Sequence, residues 1–325
     1  MDRMPRTAVI ATRSGLGYSA PRVCRVVTLQ SPRQLGVDTV SALLRGIDLL
    51  APPDGEVEID CTDLTFITPS GMAALLGIID VLWRSEKDRR IQFRDSALDS
   101  VNAYMQRMGL FQLLGLPEPE RRYRDRRLEL CELRRLSHQS EVTPIVEHLI
   151  GIASSQLDLG AGVADAINLS LGEVLENVPA HAQSPTPGYV CAQTYRRSRR
   201  VEFAIVDTGI GILGSARDVA DLRGATHADA IGWAINRGST SKPGPHSGIG
   251  LFMARRMIQD NRGTMWVYSG EAAVKVSRDK VEPTGASGWP GTIVTLTFRT
   301  DRPINVESVL EKDFGPADEN ELVWG

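Results

Sequence analysis

The sequence predicts an α/β fold that is divided into two domains. Its 325 residues exceed the roughly 100 to 200 residues of a typical single domain. In the first 118 residues, strand-like segments alternate with helix-like segments, which is the pattern of a sheet covered by helices. Three short glycine-containing signatures then follow one another between Leu171 and Ile258. They predict that the second domain is built around one ligand pocket.

Composition narrows the classes of function. The 37 basic and 40 acidic side chains give a net charge of -3, so no bulk field attracts nucleic acid or an anionic membrane. No window approaches the ~20 apolar residues that a membrane-spanning helix needs. The apolar patch from Thr7 to Thr12 is too short for a signal-peptide core. The four cysteines are too far apart for a patterned disulfide or zinc site. These features predict a cytoplasmic protein with neither a membrane nor nucleic acid as partner.

The first domain is predicted over residues 22–118, after a flexible arm over residues 1–21 that lacks periodicity. A strand from Cys24 to Gln30 is followed by a helix from Asp38 to Leu50, where two prolines and a glycine stop it. The remaining elements are a strand over residues 57–61, a short strand at 66–67, a long apolar helix from Met72 to about Trp83, a strand at 91–93 and a helix from Leu98 to Leu114.

Residues of roughly 22 to 116 resemble a STAS domain, the fold of anti-sigma-factor antagonists. The resemblance is carried chiefly by the segment DCTDLTFITPSGM, from Asp60 to Met72. In that family the loop before the helix commonly reads Asp-Ser-Ser-Gly-Leu, and its second serine accepts a phosphoryl group from a partner kinase. Ser70 is the matching position, although Thr68 and Pro69 stand where the family usually has Asp and Ser. The resemblance therefore implies a STAS-like sheet with covering helices and makes Ser70 a candidate phosphoacceptor.

A structural role for Ser70 is equally open. A serine directly before an apolar helix can cap it by accepting a backbone N–H of the first turn, which stabilises the helix by about 1 kcal/mol. A phosphate on Ser70 would also lie at a helix N-terminus, where backbone N–H groups favour an anion. The cap and the phosphoacceptor interpretations share one geometry.

The second domain, predicted over residues 119–300, begins with a basic run. Clustered arginines can bind nucleic-acid phosphates, but leucines and acidic residues interrupt this run. That pattern favours an interdomain linker that leads into a first strand. The arginines are Arg121, Arg122, Arg124, Arg126, Arg127, Arg134 and Arg135. An amphipathic helix from Val142 to Ile152 follows.

The first signature, LGEVLEN over residues 171–177, lies on a predicted helix. Glu173, Asn177 and His181 recur at four-residue steps and therefore share one face. An amide oxygen can bind a hard cation such as Mg²⁺, and a carboxylate one turn away can orient or deprotonate an attacking hydroxyl or water. Taken alone, the row is also typical of a solvated helix face. Pro179 is predicted to bend the helix just after the site.

The second signature, VDTGIG over residues 206–211, follows a strand of alternating apolar residues. A carboxylate at this strand end, Asp207, can accept a hydrogen bond from an exocyclic amine such as that of adenine. Gly209 and Gly211 permit a tight turn and a close backbone approach. With a third glycine they also match the GxGxxG spacing of dinucleotide sites. That interpretation needs a second strand, whereas Thr226 and Asp229 have the capping-box spacing of a helix start.

The third signature, SGIGL over residues 247–251, opens a helix that runs to about Ile258. Backbone N–H groups at such a start can cradle phosphates, although an ordinary glycine-rich turn explains this element by itself. The long polar segment before it is typical of a lid. Ser239, Thr240 and Lys242 are its candidate ligand contacts.

The order of the three signatures, together with a closing strand from Gly291 to Phe298, resembles the GHKL ATPase family over roughly residues 125 to 300. The family includes gyrase-type, Hsp90-type, histidine-kinase and MutL-type domains. The resemblance implies a Bergerat-type α/β sandwich that binds ATP and Mg²⁺, with Glu173 as catalytic base and Asn177 as magnesium ligand. It implies that Asp207 holds the adenine. The other implied ATP contacts are His181, Gly209, Gly211, Ser239, Thr240, Lys242, Gly248, Gly250 and Leu251.

Two branches of the family fit the chain poorly. A dimerising histidine kinase needs a helical hairpin with a phosphoacceptor histidine before the ATP domain, and the interval that holds His138 and His148 is already filled by a strand and a helix. Gyrase, Hsp90 and MutL types continue into a transducer domain, whereas only 25 residues follow Thr300, and residues 301–325 are predicted to be an acidic tail. The remaining resemblance is to anti-sigma serine kinases, for which a STAS domain is the known companion.

The sequence therefore predicts an ATP-binding signalling regulator, a serine-kinase-like partner-switching protein with Mg-ATP in a GHKL pocket. As an enzyme it would be an ATP-dependent serine protein kinase or an ATPase, acting on Ser70 or on an equivalent serine of a protein partner. The alternative is a nucleotide-gated protein-binding module or ATPase switch without protein phosphorylation. A degenerate pocket that binds nothing is a third hypothesis. A homodimer is left open.

Overall fold

The computed structural model describes residues 7–10, 26–86, 89–117, 130–184, 186–217, 219, 222–236 and 250–314. Its larger sheets have four and five strands. The first lies in the N-terminal unit, residues 7–117, and the second in the C-terminal unit, residues 130–314. Across the described ranges, no helix has the length and apolar character that a membrane crossing requires.

The N-terminal unit is a mixed sheet with helical connections. Strands β2 (Val26–Gln30), β4 (Glu56–Asp60) and β6 (Ile91–Arg94) are parallel, and β1 (Thr7–Ile10) pairs antiparallel with β6, which gives the order β1-β6-β4-β2. Parallel neighbours need crossover connections, so the predicted alternation of strands and helices is confirmed here. The elements are β1 (Thr7–Ile10), β2 (Val26–Gln30), β3 (Gln34–Leu35), α1 (Val40–Leu43), β4 (Glu56–Asp60), β5 (Phe66–Ile67), α2 (Pro69–Ser85), β6 (Ile91–Arg94), α3 (Asp99–Arg107) and α4 (Leu110–Leu113).

Three sequence predictions in this unit are corrected. Thr7–Ile10, assigned to a flexible arm, form an edge strand because they find an open edge on β6. The helix expected to reach Leu50 is only α1 plus the 3-10 turn Leu44–Gly46, since Ile47 is already extended. The helix expected from Leu98 to Leu114 is broken at Gly109, whose left-handed conformation (φ 78°) ends one helix and starts the next.

The C-terminal unit is an antiparallel sheet backed by helices, and in spatial order its strands cover residues 264–276, 281–299, 200–207, 188–195 and 130–136. The helix predicted over residues 142–152, the helix that carries the first signature and the strand that ends at Asp207 are present, whereas the strands over residues 188–195 and 264–276 were not predicted. The elements are β7 (Leu130–Leu136), α5 (Val142–Gln156), α6 (Val163–His181), β8 (Gly188–Tyr195), β9 (Arg200–Asp207), α7 (Gly211–Ser215), α8 (His227–Ala234), α9 (Gly250–Asp260), β10 (Thr264–Val276), β11 (Val281–Arg299) and α10 (Val306–Phe314).

Two contacts show how helix α8 begins and how helix α10 is attached to this unit. Thr226 and Asp229 form the predicted capping box at the start of α8, so a helix stands where a dinucleotide fold needs a strand. Part of the predicted acidic tail is instead the helix α10, whose Asp313 accepts a hydrogen bond from Arg256 on α9 at 2.6 Å. This ion pair ties the helix to the unit, which corrects that prediction for residues 306–314.

The two faces of the five-stranded sheet pack on different cores. Along β8, Val190 and Ala192 belong to the core shared with α5, α6 and α9. Their neighbours Tyr189 and Cys191 belong to the core of the N-terminal unit. Because successive side chains of a strand point to opposite faces, the N-terminal unit covers one face of the sheet, and the helices that carry the first and third signatures cover the other.

Helix α2 of the N-terminal unit covers the face of the sheet that carries Tyr189 and Cys191. Every residue from Pro69 to Leu82 is buried, as expected for a helix that is apolar all round. It packs against β8 and β9. Gly77 allows a close approach, because a Cβ at this position would lie 2.8 Å from the ring of Trp289 on β11 and 3.2 Å from the Thr208 methyl group.

Substituting Gly77→Ala is expected to destabilise the protein by about 1 to 3 kcal/mol, because the added methyl group overpacks the contact with Trp289. The matched control is Gly151→Ala on α5, where a Cβ meets nothing within 4 Å. That change should stabilise the protein by about 0.5 to 1 kcal/mol through helix propensity. Urea unfolding of the two variants measures both effects, and a Gly77→Ala variant as stable as Gly151→Ala would contradict the close packing.

Candidate functional site

Helix α6 carries the first signature and lies on the face of the five-stranded sheet opposite to α2. Ile167, Leu171 and Val174 are buried at helical spacing and hold the helix to the core. Glu173 and Asn177 are half-buried on a neighbouring face. The helix continues past Pro179 as far as His181. The carboxylate and the carboxamide thus lie one turn apart at the edge of the core, as the sequence predicts.

The start of α9 lies directly against the first signature. A Cβ on Gly250 would lie 2.9 Å from Oε2 of Glu173, so a larger residue at this point would displace the carboxylate from its present position. Backbone N–H groups at a helix start favour anions such as phosphate. The predicted catalytic base and the last glycine of the predicted phosphate cradle are therefore neighbours, although more than 70 residues of sequence separate them.

Asp207 ends the central strand β9, between β8 and β11. Its carboxylate accepts a hydrogen bond from the Gly209 backbone N–H at 2.9 Å and further hydrogen bonds from Thr292. Burial raises the pKa of Asp207 to about 6, against the lowering effect of these donors. A desolvated carboxylate that is ionised near neutral pH is well suited to accept a hydrogen bond from a ligand amine.

The turn after Asp207 is locked onto the end of α6. Ile210 N–H donates to the Ala182 carbonyl at 2.8 Å, and a Cβ on Gly209 would lie 1.8 Å from the same oxygen. Gly211 adopts φ +67°, and a Cβ there would lie 2.7 Å from Ser269 Oγ. Both glycines are thus required by close approach, and the second signature meets the C-terminal end of the helix that carries the first.

Some predicted site residues cannot be placed by these contacts. Ser239, Thr240, Lys242 and Gly248 lie outside the described residues, and so does the side chain of His181. Leu251 follows Gly250 on α9 and is half-buried.

A magnesium ion fits the side chains at this site only if the nucleotide shares its coordination. Within the described ranges, no three His, Cys, Asp or Glu side chains are grouped as a metal site. Mg²⁺ commonly takes one or two protein oxygens together with substrate phosphates and waters, and the Asn177 amide oxygen can serve as such a ligand.

Ser70 lies on the other side of the sheet, in α2. It is 1% exposed, and its Oγ accepts a hydrogen bond from Val37 N–H at 3.1 Å and contacts Thr68 Oγ1 at 2.8 Å. Thr68 is the N-cap and accepts a hydrogen bond from Gly71 N–H. This corrects the interpretation of Ser70 as the cap, because the helix starts one residue before Ser70.

A carboxylate already occupies the N-terminal end of α2. Glu202 on β9 accepts hydrogen bonds from the Ser70 backbone N–H and from Tyr195 Oη, the latter at 3.4 Å. Burial, together with the charge of Asp38, raises the pKa of Glu202 to about 7. A phosphate on Ser70 would face two carboxyl groups here, so the docked arrangement of α2 favours unmodified Ser70.

Three residues at the site were not singled out from the sequence. Thr292 donates to Asp207, Trp289 Nε1 donates to the Asp207 carbonyl at 3.0 Å, and Arg84 donates to the Thr208 carbonyl. The signal for the first was Gly291 inside a strand, because such a glycine marks a close backbone approach. The φ of Gly291 is +108°, and a Cβ on Gly291 would lie 2.5 Å from the Asp207 carbonyl. Arg84 carried no local signal.

Comparison with known proteins identifies the domain to which this site belongs. No curated protein sequence matches the chain. Residues 162–302 match the model of a family described as histidine kinase-, DNA gyrase B-, and HSP90-like ATPase. The matched range contains α6, the turn after β9, the start of α9 and the closing strand β11. Residues 162–302 are therefore a GHKL ATPase domain, which suggests ATP binding.

Proposed function

We propose that this protein is an ATP-binding signalling regulator of the serine-kinase-like, partner-switching kind, with Mg-ATP bound in the C-terminal unit. The observation that supports it best is the position of Glu173 against Gly250, because this puts a carboxylate beside the turn that would hold the terminal phosphates. Asp207 would accept a hydrogen bond from the adenine amine. Asn177 would bind Mg²⁺ together with phosphate oxygens. A cytoplasmic location remains a prediction.

In the proposed reaction an acceptor hydroxyl attacks the γ-phosphorus of ATP. A new oxygen–phosphorus bond forms, the bond to the β–γ bridging oxygen breaks, ADP leaves, and the hydroxyl proton passes to Glu173. Positioning and charge stabilisation supply most of the catalysis in phosphoryl transfer. With water as acceptor the same steps give ATP hydrolysis.

The burial of Ser70 restricts the acceptor. In the docked arrangement the Ser70 hydroxyl is enclosed by Val37 and Thr68 and lies on the sheet face opposite to Glu173. Transfer within one docked chain is therefore incompatible with this geometry. The proposed acceptor is a serine of a protein partner, or Ser70 of a chain whose α2 has left the sheet.

The same burial favours a second candidate function, a nucleotide-gated protein-binding module without protein phosphorylation. In this proposal ATP binding or hydrolysis changes the docking of the N-terminal unit and thereby its exposure to a protein partner. The STAS-like resemblance of the N-terminal unit supports protein binding in both proposals.

Incubation with γ-labelled Mg-ATP distinguishes the two functions, with wild type compared against Ser70→Ala and Asn177→Ala. Kinase function predicts label on the protein or on an added partner, and loss of label only in Ser70→Ala would identify that acceptor. The gated module predicts free phosphate or bound ATP without protein label. Asn177→Ala should lose the magnesium-dependent part of ATP affinity in both cases. Calorimetry that detects no binding of ATP or ADP to wild type would contradict both proposals.

A further inference from the structure

We propose that helix α2 of the N-terminal unit is a positioning element of the nucleotide site, and that Arg84 and Trp289 connect it to the turn after Asp207. Docking of α2 and binding of ATP then stabilise each other. This inference rests on the proposed ATP site and assigns to the N-terminal unit a role in the affinity and base selectivity of that site.

Arg84 makes the direct connection. Both terminal nitrogens of its guanidinium donate to the Thr208 carbonyl, each at 3.0 Å. Hydrogen bonds from a charged donor are roughly twice as strong as neutral ones. Burial lowers the pKa of Arg84, and the charge of Asp80, one turn earlier on α2, partly offsets this effect and favours the charged form. The last turn of α2 is thus bonded to Thr208, the residue that follows Asp207.

Trp289 makes the second connection, one residue earlier. Its indole is fully buried, and Nε1 donates to the Asp207 carbonyl at 3.0 Å. The ring lies against Gly77 of α2, at a distance that leaves no room for a Cβ. The indole is therefore packed between α2 and the turn after Asp207.

The two bonded carbonyls set the direction of the Asp207 side chain. They belong to the peptide groups that follow Asp207 and Thr208, and the orientation of these groups fixes the course of the turn from Asp207 to Gly209. The carboxylate reaches into this turn, where it accepts the Gly209 N–H. Small displacements of a positioning group can cost a large factor in binding or rate. Loss of the α2 contacts is therefore expected to loosen the adenine contact without removing any ligand group.

The docking of α2 does not depend on these two residues alone. Tyr189 Oη on β8 donates to Asp80 at 2.5 Å, Cys191 Sγ donates to the Pro69 carbonyl at 3.3 Å, and Tyr104 on α3 donates to Gln193 on β8. A variant at Arg84 should consequently keep the interface while it frees the turn. By linkage, docking of α2 raises the affinity for ATP by the same factor by which bound ATP favours docking of α2.

The test compares Arg84→Met with Tyr104→Phe, which removes an interface hydrogen bond at a β8 residue far from Asp207. Calorimetry gives the Kd of each protein for Mg-ATP and for Mg-inosine triphosphate, which has a carbonyl in place of the exocyclic amine. Arg84→Met is expected to raise the Kd for ATP at least about fivefold and to reduce the preference for ATP over inosine triphosphate. Tyr104→Phe should leave both values unchanged. Arg84→Lys, with a single donor group, should be intermediate.

Hydrogen exchange of the wild-type protein gives an independent readout that needs no variant. ATP should slow amide exchange in Pro69–Ser85 by at least the factor by which Arg84→Met loses affinity, because undocking of α2 breaks the Arg84 contact as well. Equal nucleotide affinities and equal base preference in Arg84→Met and Tyr104→Phe would overturn this inference while the ATP site stands, and so would exchange in α2 that ATP leaves unchanged. Absence of ATP binding to wild type would overturn the proposed function and the inference with it.

Discussion

Replacement of Glu173 by Gln is expected to lower the rate of γ-phosphate transfer or release by about 100- to 10,000-fold, while the Kd for Mg-ATP changes only a few-fold. The amide has nearly the same shape as the carboxylate and keeps the contact with Gly250, but it cannot take a proton from the attacking hydroxyl. Single-turnover measurement of labelled phosphate gives the rate, and calorimetry gives the affinity.

Glu176→Gln is the matched control for this prediction. Glu176 lies on the same helix and carries the same charge, but it is exposed to solvent, whereas Glu173 is half-buried. Its replacement should change neither rate nor affinity. An equal loss of rate in both variants would show a general charge effect, and an unchanged rate in Glu173→Gln would assign the base role to another group.

The C-terminal unit was largely predictable from the sequence, because its signals are local. The capping box of Thr226 and Asp229 depends on residues three positions apart, and the strand over Arg200–Asp207 shows a two-residue alternation. The glycines of the three signatures mark close approaches even before the partner is known. What they approach was not predictable, since Ala182 and Ser269 contact Gly209 and Gly211 only after the chain has folded.

The docking of the N-terminal unit was not predictable in the same way. An apolar face on every side of α2 indicates burial, but it does not say which surfaces bury the helix. The sequence predicted two domains but not how they meet: Tyr189 and Cys191 of the five-stranded sheet share the core of the N-terminal unit. The burial of Ser70 and the carboxyl group of Glu202 at the start of α2 follow from this long-range packing. Short motifs carry no information on it.

Replacement of Asp207 by Asn is expected to raise the Kd for ATP by about 10- to 150-fold, the loss of one hydrogen bond to a charged group. The amide oxygen can still accept the Gly209 N–H, but the amide nitrogen would oppose the adenine amine. The preference for ATP over inosine triphosphate should disappear as well, because the variant no longer distinguishes an amine from a carbonyl. Thermal unfolding of the free variant shows whether the fold is retained.

The pH dependence of ATP affinity gives a second test of Asp207. Only the ionised carboxylate accepts the adenine amine, and its pKa in the free protein is about 6. The Kd of wild type should therefore be level above pH 6 and rise by up to about tenfold per pH unit below it, since one proton must be released on binding. The terminal phosphate of ATP titrates in the same range, with a pKa of about 6, so the prediction concerns the difference between wild type and Asp207→Asn. The variant should retain only the phosphate contribution, and parallel profiles for the two proteins would show that Asp207 does not bind the base in its ionised form.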